Sequence, residues 1–202
     1  MLTAVTHLAA SREHNDGMST PAELHVSLPE FLAWEQEQDR RHEYRRGDVR
    51  IMTGGSARHE MLVRRIDRLL GDVYDTAAGP CRVFSHNRKL VMAESVRYPD
   101  VLVVCAPQAD SQFEDDADYL VEVLSPSTAK VDLSEKLHEY AALASIKQYL
   151  VLDPDARSVT LFERHELGWH AREVKGTLSF AGVDIDLDGA YDWVDMRTGT
   201  SS

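Results

Sequence analysis

Two acidic residues stand where acids are expensive. Leu120-Val121-Glu122-Val123-Leu124 is apolar on both faces apart from Glu122, and Pro99-Asp100 leads into Val101-Leu102-Val103-Val104. Apolar runs of this kind belong to strands covered on both sides. A carboxylate buried there without a partner costs several kcal/mol, roughly 3 or more, so a cation, a protonation shift or an Arg or Lys must compensate it. Two lone acids on two buried strands can converge on one point. Few, hard oxygen donors with room for water suit Mg²⁺ or Mn²⁺.

The elements that must hold these acids follow from the pattern. Ser27 and Glu30 form a capping box ahead of Phe31, Leu32 and Trp34, which predicts a first helix over 28–40. Residues 43–53 break at Gly47-Asp48 and read as a hairpin. Ser56 caps a long helix with Met61, Leu62, Ile66, Leu69, Leu70 and Val73 on one side, ending at Gly79-Pro80. Its other side carries Arg58, Arg64, Arg65 and Arg68, a solvated face or one turned to DNA. Strands are expected at 81–86, 89–94, 98–105 and 119–125. A helix capped by Asp132 and carrying Leu133, Leu137, Tyr140 and Ala144 then leads to strand 148–152, a strand-helix-strand order that suggests a parallel crossover. Segments 159–163, 169–174 and 177–180 read as a short antiparallel appendage. The expected organisation is a flexible tail over 1–25, one α/β domain with a mixed sheet over 26–195, and a tail over 196–202.

At this point the motifs resemble the Uma2 family, also called DUF820, of the PD-(D/E)XK restriction-endonuclease-like nucleases. The residues that carry the resemblance are Pro99-Asp100; Glu122-Val123-Leu124-Ser125-Pro126-Ser127; Asp132, Lys136 and Tyr140 at four-residue spacing; and Tyr149-Leu150-Val151-Leu152-Asp153-Pro154. Glu43-Tyr44, Gly47-Asp48-Val49 and His59 fit the same pattern. The resemblance implies a mixed sheet flanked by helices, with Asp100 and Glu122 as metal ligands and Glu43 as a further metal or water ligand. His59 is implied as an active-site neighbour. It also implies an endonuclease that hydrolyses DNA with Mg²⁺ or Mn²⁺. One departure stands out: the superfamily's lysine two residues after the glutamate is Leu124 here. Lys136, opening the next helix, is the expected substitute, with Lys130 on the preceding loop as the other candidate. The alternative is a nuclease fold kept as a catalytically inactive nucleic-acid- or protein-binding module.

The remaining composition bounds the setting. The 202 residues carry 22 Lys and Arg against 34 Asp and Glu, a net charge of −12, so the far field repels nucleic acid and binding must come from a local basic patch or a bound metal. No apolar run approaches a membrane span, and the N-terminal residues lack a secretory pattern. Cys81 and Cys105 are the only cysteines, which suits two plain thiols in a reducing cytoplasm, with a single disulfide between them as the alternative. A double-strand cut needs two sites of opposite polarity, so a homodimer is expected, with Trp169 and Tyr191 as exposed apolar candidates for its interface. Glu43 could instead pair with Arg45 or Arg46. Asp184, Asp186, Asp188, Asp192 and Asp195 imitate a calcium loop, but their flanks do not signal its helices.

Overall fold

The computed structural model describes residues 26–75, 79–107, 111–125 and 131–199. The expected tail over 1–25, Pro126 and Ser127 of the motif, Lys130 and the capping side chain of Asp132 lie outside the described residues. In chain order the elements are α1 (Leu28–Glu35), β1 (His42–Arg45), β2 (Asp48–Ile51), α2 (Ala57–Tyr74), β3 (Arg82–Ser85), β4 (Lys89–Val91), β5 (Ser95–Arg97), β6 (Val101–Val104), β7 (Phe113–Glu114) and β8 (Tyr119–Val123). They continue with α3 (Val131–Ala142), β9 (Gln148–Asp153), β10 (Ser158–His165), β11 (Gly168–Val174), β12 (Thr177–Phe180), β13 (Val183–Asp186) and α4 (Leu187–Thr198). Among the described residues no helix is long and apolar enough to cross a membrane.

The backbone divides into two compact units, and the smaller holds residues up to Thr53 together with Ala93–Arg97. Its helix α1 starts as read, with the Glu30 carboxylate accepting from the Ser27 N–H at 3.0 Å and the Ser27 hydroxyl at 2.6 Å. It stops at Glu35, short of Arg40, because residues 36–41 are all polar and offer nothing to bury. Strands β1 and β2 form the expected hairpin around a two-residue turn in which Arg46 (φ 47°) and Gly47 (φ 99°) are both left-handed, matching the right-handed twist of the strands. Strand β5 extends it on the β1 side. Tyr44 stacks on Phe31 at 5.1 Å between ring centroids and donates its hydroxyl to the Val26 carbonyl at 2.9 Å.

The larger unit, Gly54–Met92 with Tyr98 onward, is built on a six-stranded sheet in the order β11-β10-β9-β8-β6-β3. β8 and β9 are parallel and joined through α3, as the strand-helix-strand pattern predicts, and the other pairs are antiparallel. Side chains alternate between the two faces of a strand. Odd positions of β6 and β8 (Val101, Val103, Val121, Val123) pack with Leu62, Val63, Ile66 and Leu70 of α2. Even positions (Leu102, Val104, Leu120) pack with Tyr140 of α3 and with Tyr149 and Phe162. Both faces are covered, which is why these strands read as continuous apolar runs.

Several expectations give way here. β10 and β11 are antiparallel as read, yet they are rails of the main sheet, and the separate appendage is the β12-β13 hairpin. The acids that only imitate a calcium loop divide between β13, which holds Asp184 and Asp186, and α4, which holds Asp188, Asp192 and Asp195 and runs on to Thr198. Asp186 caps α4 by accepting from the Gly189 N–H at 3.1 Å. Asp195 binds Arg58 at 2.5 Å and Arg157 at 2.9 Å, and Asp192 binds Arg157 at 2.8 Å. Tyr191 is only 2% exposed and donates to the Asp153 and Ser158 carbonyls, so it cannot serve a dimer surface. Trp169 is partly buried beneath the Arg164 guanidinium. Cys81 and Cys105, expected as thiols, are joined in a disulfide, because the register that pairs Arg82 with Val104 sets them opposite one step outward.

Asp195 neutralises two arginines at once. Asp195→Ala should lower unfolding stability by about 2 kcal/mol, the scale expected when a partly buried ion pair loses one partner, read as a shift of the urea midpoint at unchanged slope.

Candidate active site

The pairing of β6 with β8 sets Val101 opposite Val121 and Leu102 opposite Leu120. One step further along this register, Asp100 falls opposite Glu122. Directly opposed residues of an antiparallel pair share a face, with Cβ atoms roughly 4.5–5.5 Å apart. The Val123 N–H fixes Asp100 by donating to its Oδ2 at 2.7 Å. The register thus sets the two lone acids opposite each other at one end of the β6-β8 pair, Glu122 on the α3 side and Asp100 within reach of His59 of α2.

Helix α3 compensates Glu122, which is only 7% exposed. Lys136 Nζ lies 3.1 Å from Glu122 Oε1, and the Tyr140 hydroxyl donates to the same oxygen at 2.9 Å. Lys136 and Tyr140 are four residues apart and therefore sit on one helix face. Both are buried. Lys136, the residue expected to stand in for the lysine absent at Leu124, reaches the Glu122 carboxylate from the crossover helix. Tyr140 was legible as a core residue and as a member of the four-residue motif, without a role at the carboxylate. Its signal was the four-residue step from Lys136.

His59 opens α2, where Ser56 caps the helix by accepting the His59 N–H at 3.2 Å. Its Nε2 is 3.4 Å from Asp100 Oδ2 and its Nδ1 is 3.5 Å from Glu60 Oε1. Burial pushes this imidazole's pKa down, but the hydrogen bond and charge of Asp100, with the charges of Glu60 and Glu122, outweigh it and leave the pKa raised. Gly55 makes room for the ring: a Cβ there would come within 2.4 Å of His59 Nδ1. Neither Glu60 nor Gly55 is marked by sequence pattern alone.

Glu43 belongs to the smaller unit. Its Oε2 accepts from Arg97 Nη1 at 2.8 Å, and Arg97 is 1% exposed. Arg46, one of the partners considered from sequence, binds Glu94 instead, at 2.7 Å. The arginine stripe of α2 is not a uniform solvated face. Arg58 is committed to Asp195 and to the Pro154 carbonyl. Arg65 lies over the Trp193 ring, and Arg64 and Arg68 share an open polar cleft with Asp67, Asp72 and Asp75.

Among the described residues no three His, Cys, Asp or Glu side chains gather into a ready-made metal cage. Mg²⁺ does not need one, since it keeps several waters and is commonly bound through one or two carboxylates. The opposed Asp100 and Glu122 carboxylates are the hard donors it requires. A mixed sheet flanked by helices, with two acids on neighbouring strands and a lysine on the crossover helix, is a restriction-endonuclease-like fold.

The chain belongs to the Uma2 family, whose profile, described as "Putative restriction endonuclease", matches residues 28–186. Two proteins of Synechocystis sp. are similar along most of their length. Uncharacterized protein slr1290 is 31% identical over 147 residues, which is 71% of this chain and 76% of that protein. Uncharacterized protein sll1609 is 27% identical over 161 residues, 75% and 88% of the two. A crystal structure described as "a putative nuclease belonging to DUF820 from Anabaena variabilis" shares the fold with a TM-score of 0.72 at 15% identity, covering 84% of this chain and 99% of that one.

The Glu122–Lys136 pair makes a stability prediction. Glu122→Gln and Lys136→Met should each destabilise the metal-free protein by about 3 kcal/mol, because each leaves a buried partner uncompensated. The double variant should lose less than the sum by at least about 1 kcal/mol, measured as a double-mutant cycle in urea.

Proposed function

We propose that this protein is a Mg²⁺- or Mn²⁺-dependent endonuclease that hydrolyses phosphodiester bonds in DNA. The observation that carries the reading is the opposition of Asp100 and Glu122 across β6 and β8, with the Lys136 ammonium already at the Glu122 carboxylate. Asp100 and Glu122 would hold the ion. A bound divalent ion lowers the pKa of a coordinated water and offsets phosphate charge. Lys136 stabilises negative charge that develops at the attacked phosphate. Tyr140 fixes the rotamer of Glu122, and His59 steadies Asp100 from the other side of the sheet end. Glu43, neutralised by Arg97 in the smaller unit, is not required by this scheme. Cleavage of both antiparallel strands would be served by a homodimer.

A second reading, a binding module without turnover, is favoured by one specific contact. Lys136 and Tyr140 satisfy the buried Glu122 carboxylate with no metal at all.

Plasmid nicking and thermal unfolding decide between the two. On the nuclease reading, Mn²⁺ at a hundred times its Kd stabilises the native state by about 2.7 kcal/mol, and cleavage depends on that ion. Asp100→Asn and Glu122→Gln should abolish both effects. Lys136→Ala should keep Mn²⁺ affinity within a few fold and lower cleavage about a hundredfold. Unchanged Mn²⁺ affinity in both carboxylate variants would sink the metal site, and a protein inert to metal and DNA substrate alike would leave the scaffold reading in place.

A further inference from the structure

We propose that β11, the outer strand of the six-stranded sheet, pairs antiparallel with β11 of a second copy of this chain about a two-fold axis at Ala171. This surface goes beyond what the nuclease reading assigns, and it lies wholly within the larger unit.

A sheet edge is a row of N–H and C=O groups without partners, and folded proteins blunt it with short strands, prolines, bulges or charge. The opposite edge of this sheet follows that rule, since β3 has four residues. β11 has seven, with no proline, and its register to β10 runs unbroken from Val174 to Gly168. The Arg164 N–H donates to the Lys147 carbonyl at 2.9 Å, so the Arg164 main chain is turned toward the β9 side. Trp169, which stands opposite Arg164, therefore turns its own main chain outward, and Ala171 and Glu173 do the same. Among the described residues no strand pairs with this outer side.

An axis at Ala171 sets that residue opposite its own copy and Trp169 opposite Glu173 of the second copy. All the outward residues then bond, through about six main-chain hydrogen bonds, two for each pair. Moving the axis to Glu173 would oppose two like charges, which is destabilising. Moving it to Trp169 would set Ala171 against Leu167 of the turn and carry Glu173 past the end of the strand. The side chains complement the register at Ala171. Trp169 and Glu173 share one face of the strand. The Trp169 indole N–H is buried and meets no acceptor among the described residues, whereas a buried donor normally has one. The Arg164 guanidinium lies over the same ring at 4.6 Å. The Glu173 carboxylate, exposed with Lys175 at 3.6 Å, supplies an acceptor for the indole and a counter-charge for the arginine. On the other face Arg172 is joined to Glu163 at 2.9 Å, so His170 of the second copy meets a neutralised pair.

The experiment is sedimentation equilibrium of the full-length protein, without metal or DNA, at concentrations up to about 100 μM. A mass of twice 22.7 kDa is expected. Ala171→Pro removes the N–H at the axis, a group that β10 does not use, and should leave a folded protein of 22.7 kDa. Glu173→Arg sets a cation against Arg164 and should weaken the dimer at least about tenfold; it serves if the proline variant unfolds. The register has its own check. Ala171→Cys should join two copies through a disulfide on mild oxidation, because opposed residues of a hydrogen-bonded pair have Cα atoms about 5.5 Å apart. His170→Cys, one step off the axis, should not. A monomer at every concentration, a dimer that survives both edge variants, or crosslinking at residue 170 in preference to 171 would each overturn the proposal. Failure of the nuclease reading looks different: the protein still dimerises, and no metal supports nicking.

Discussion

Placing a carboxylate in the interior of a sheet obliges the rest of the fold to answer it. Glu122 lies between Leu120 and Leu124 on the face shared with Tyr140 and Tyr149, where an uncompensated charge would cost a large part of a domain's net stability. The answer is a helix whose register is set by that demand. Leu133, Leu137 and Tyr140 seat α3 on the sheet, and the same seating delivers the Lys136 ammonium and the Tyr140 hydroxyl to one oxygen. Packing and charge compensation are therefore a single constraint. Moving β8 by one residue against β6 would break both, since it would send Glu122 to the α2 face among Leu62 and Ile66.

The same arrangement bears on how an ion would be accommodated. Lys136 meets Oε1 of Glu122, and Asp100 is held through Oδ2 by a backbone N–H and approached by His59. Nitrogen groups thus approach the two acids from both helices, Lys136 from α3 and His59 from α2. A cluster balanced in this way is preorganised in its protein parts, so little reorganisation stands between the resting and working states. His59 contributes rigidity at the cost of a glycine: Gly55 leaves the space that its ring occupies.

Much of this was readable from residue order. Asp100 and Glu122 announced themselves as acids in apolar runs, and Lys136 as a cation at the start of the following helix. The parallel crossover followed from strand, helix and strand in succession. What escaped has physical causes. β5 is three residues long, and its apolar content is a single Val96, too little for a period-two signal. In α4 the buried Leu187, Ala190, Tyr191 and Val194 have helical spacing, but Asp and Gly at low-propensity positions masked it and invited a calcium-loop reading. The partners of Glu43, Arg58 and Asp195 depend on chain segments far apart in sequence, and no local pattern encodes those. The disulfide was the less favoured alternative for the same reason, since it depends on the register of β3 against β6.

Sequence separation distinguishes the two principal charge networks in another way. Lys136 and Glu122 are 14 residues apart, whereas Arg58 and Asp195 are separated by 137. During synthesis from the N-terminus, the cation for the buried acid emerges almost at once, along with the helix that carries it. The staple between α2 and α4 must wait for a segment 137 residues further along the chain. Short-range contacts close at little entropic cost and form early, while long-range ones form late. The compensation of Glu122 is thus a piece of nearly local structure, whereas the Arg58–Asp195 pair ties distant segments together.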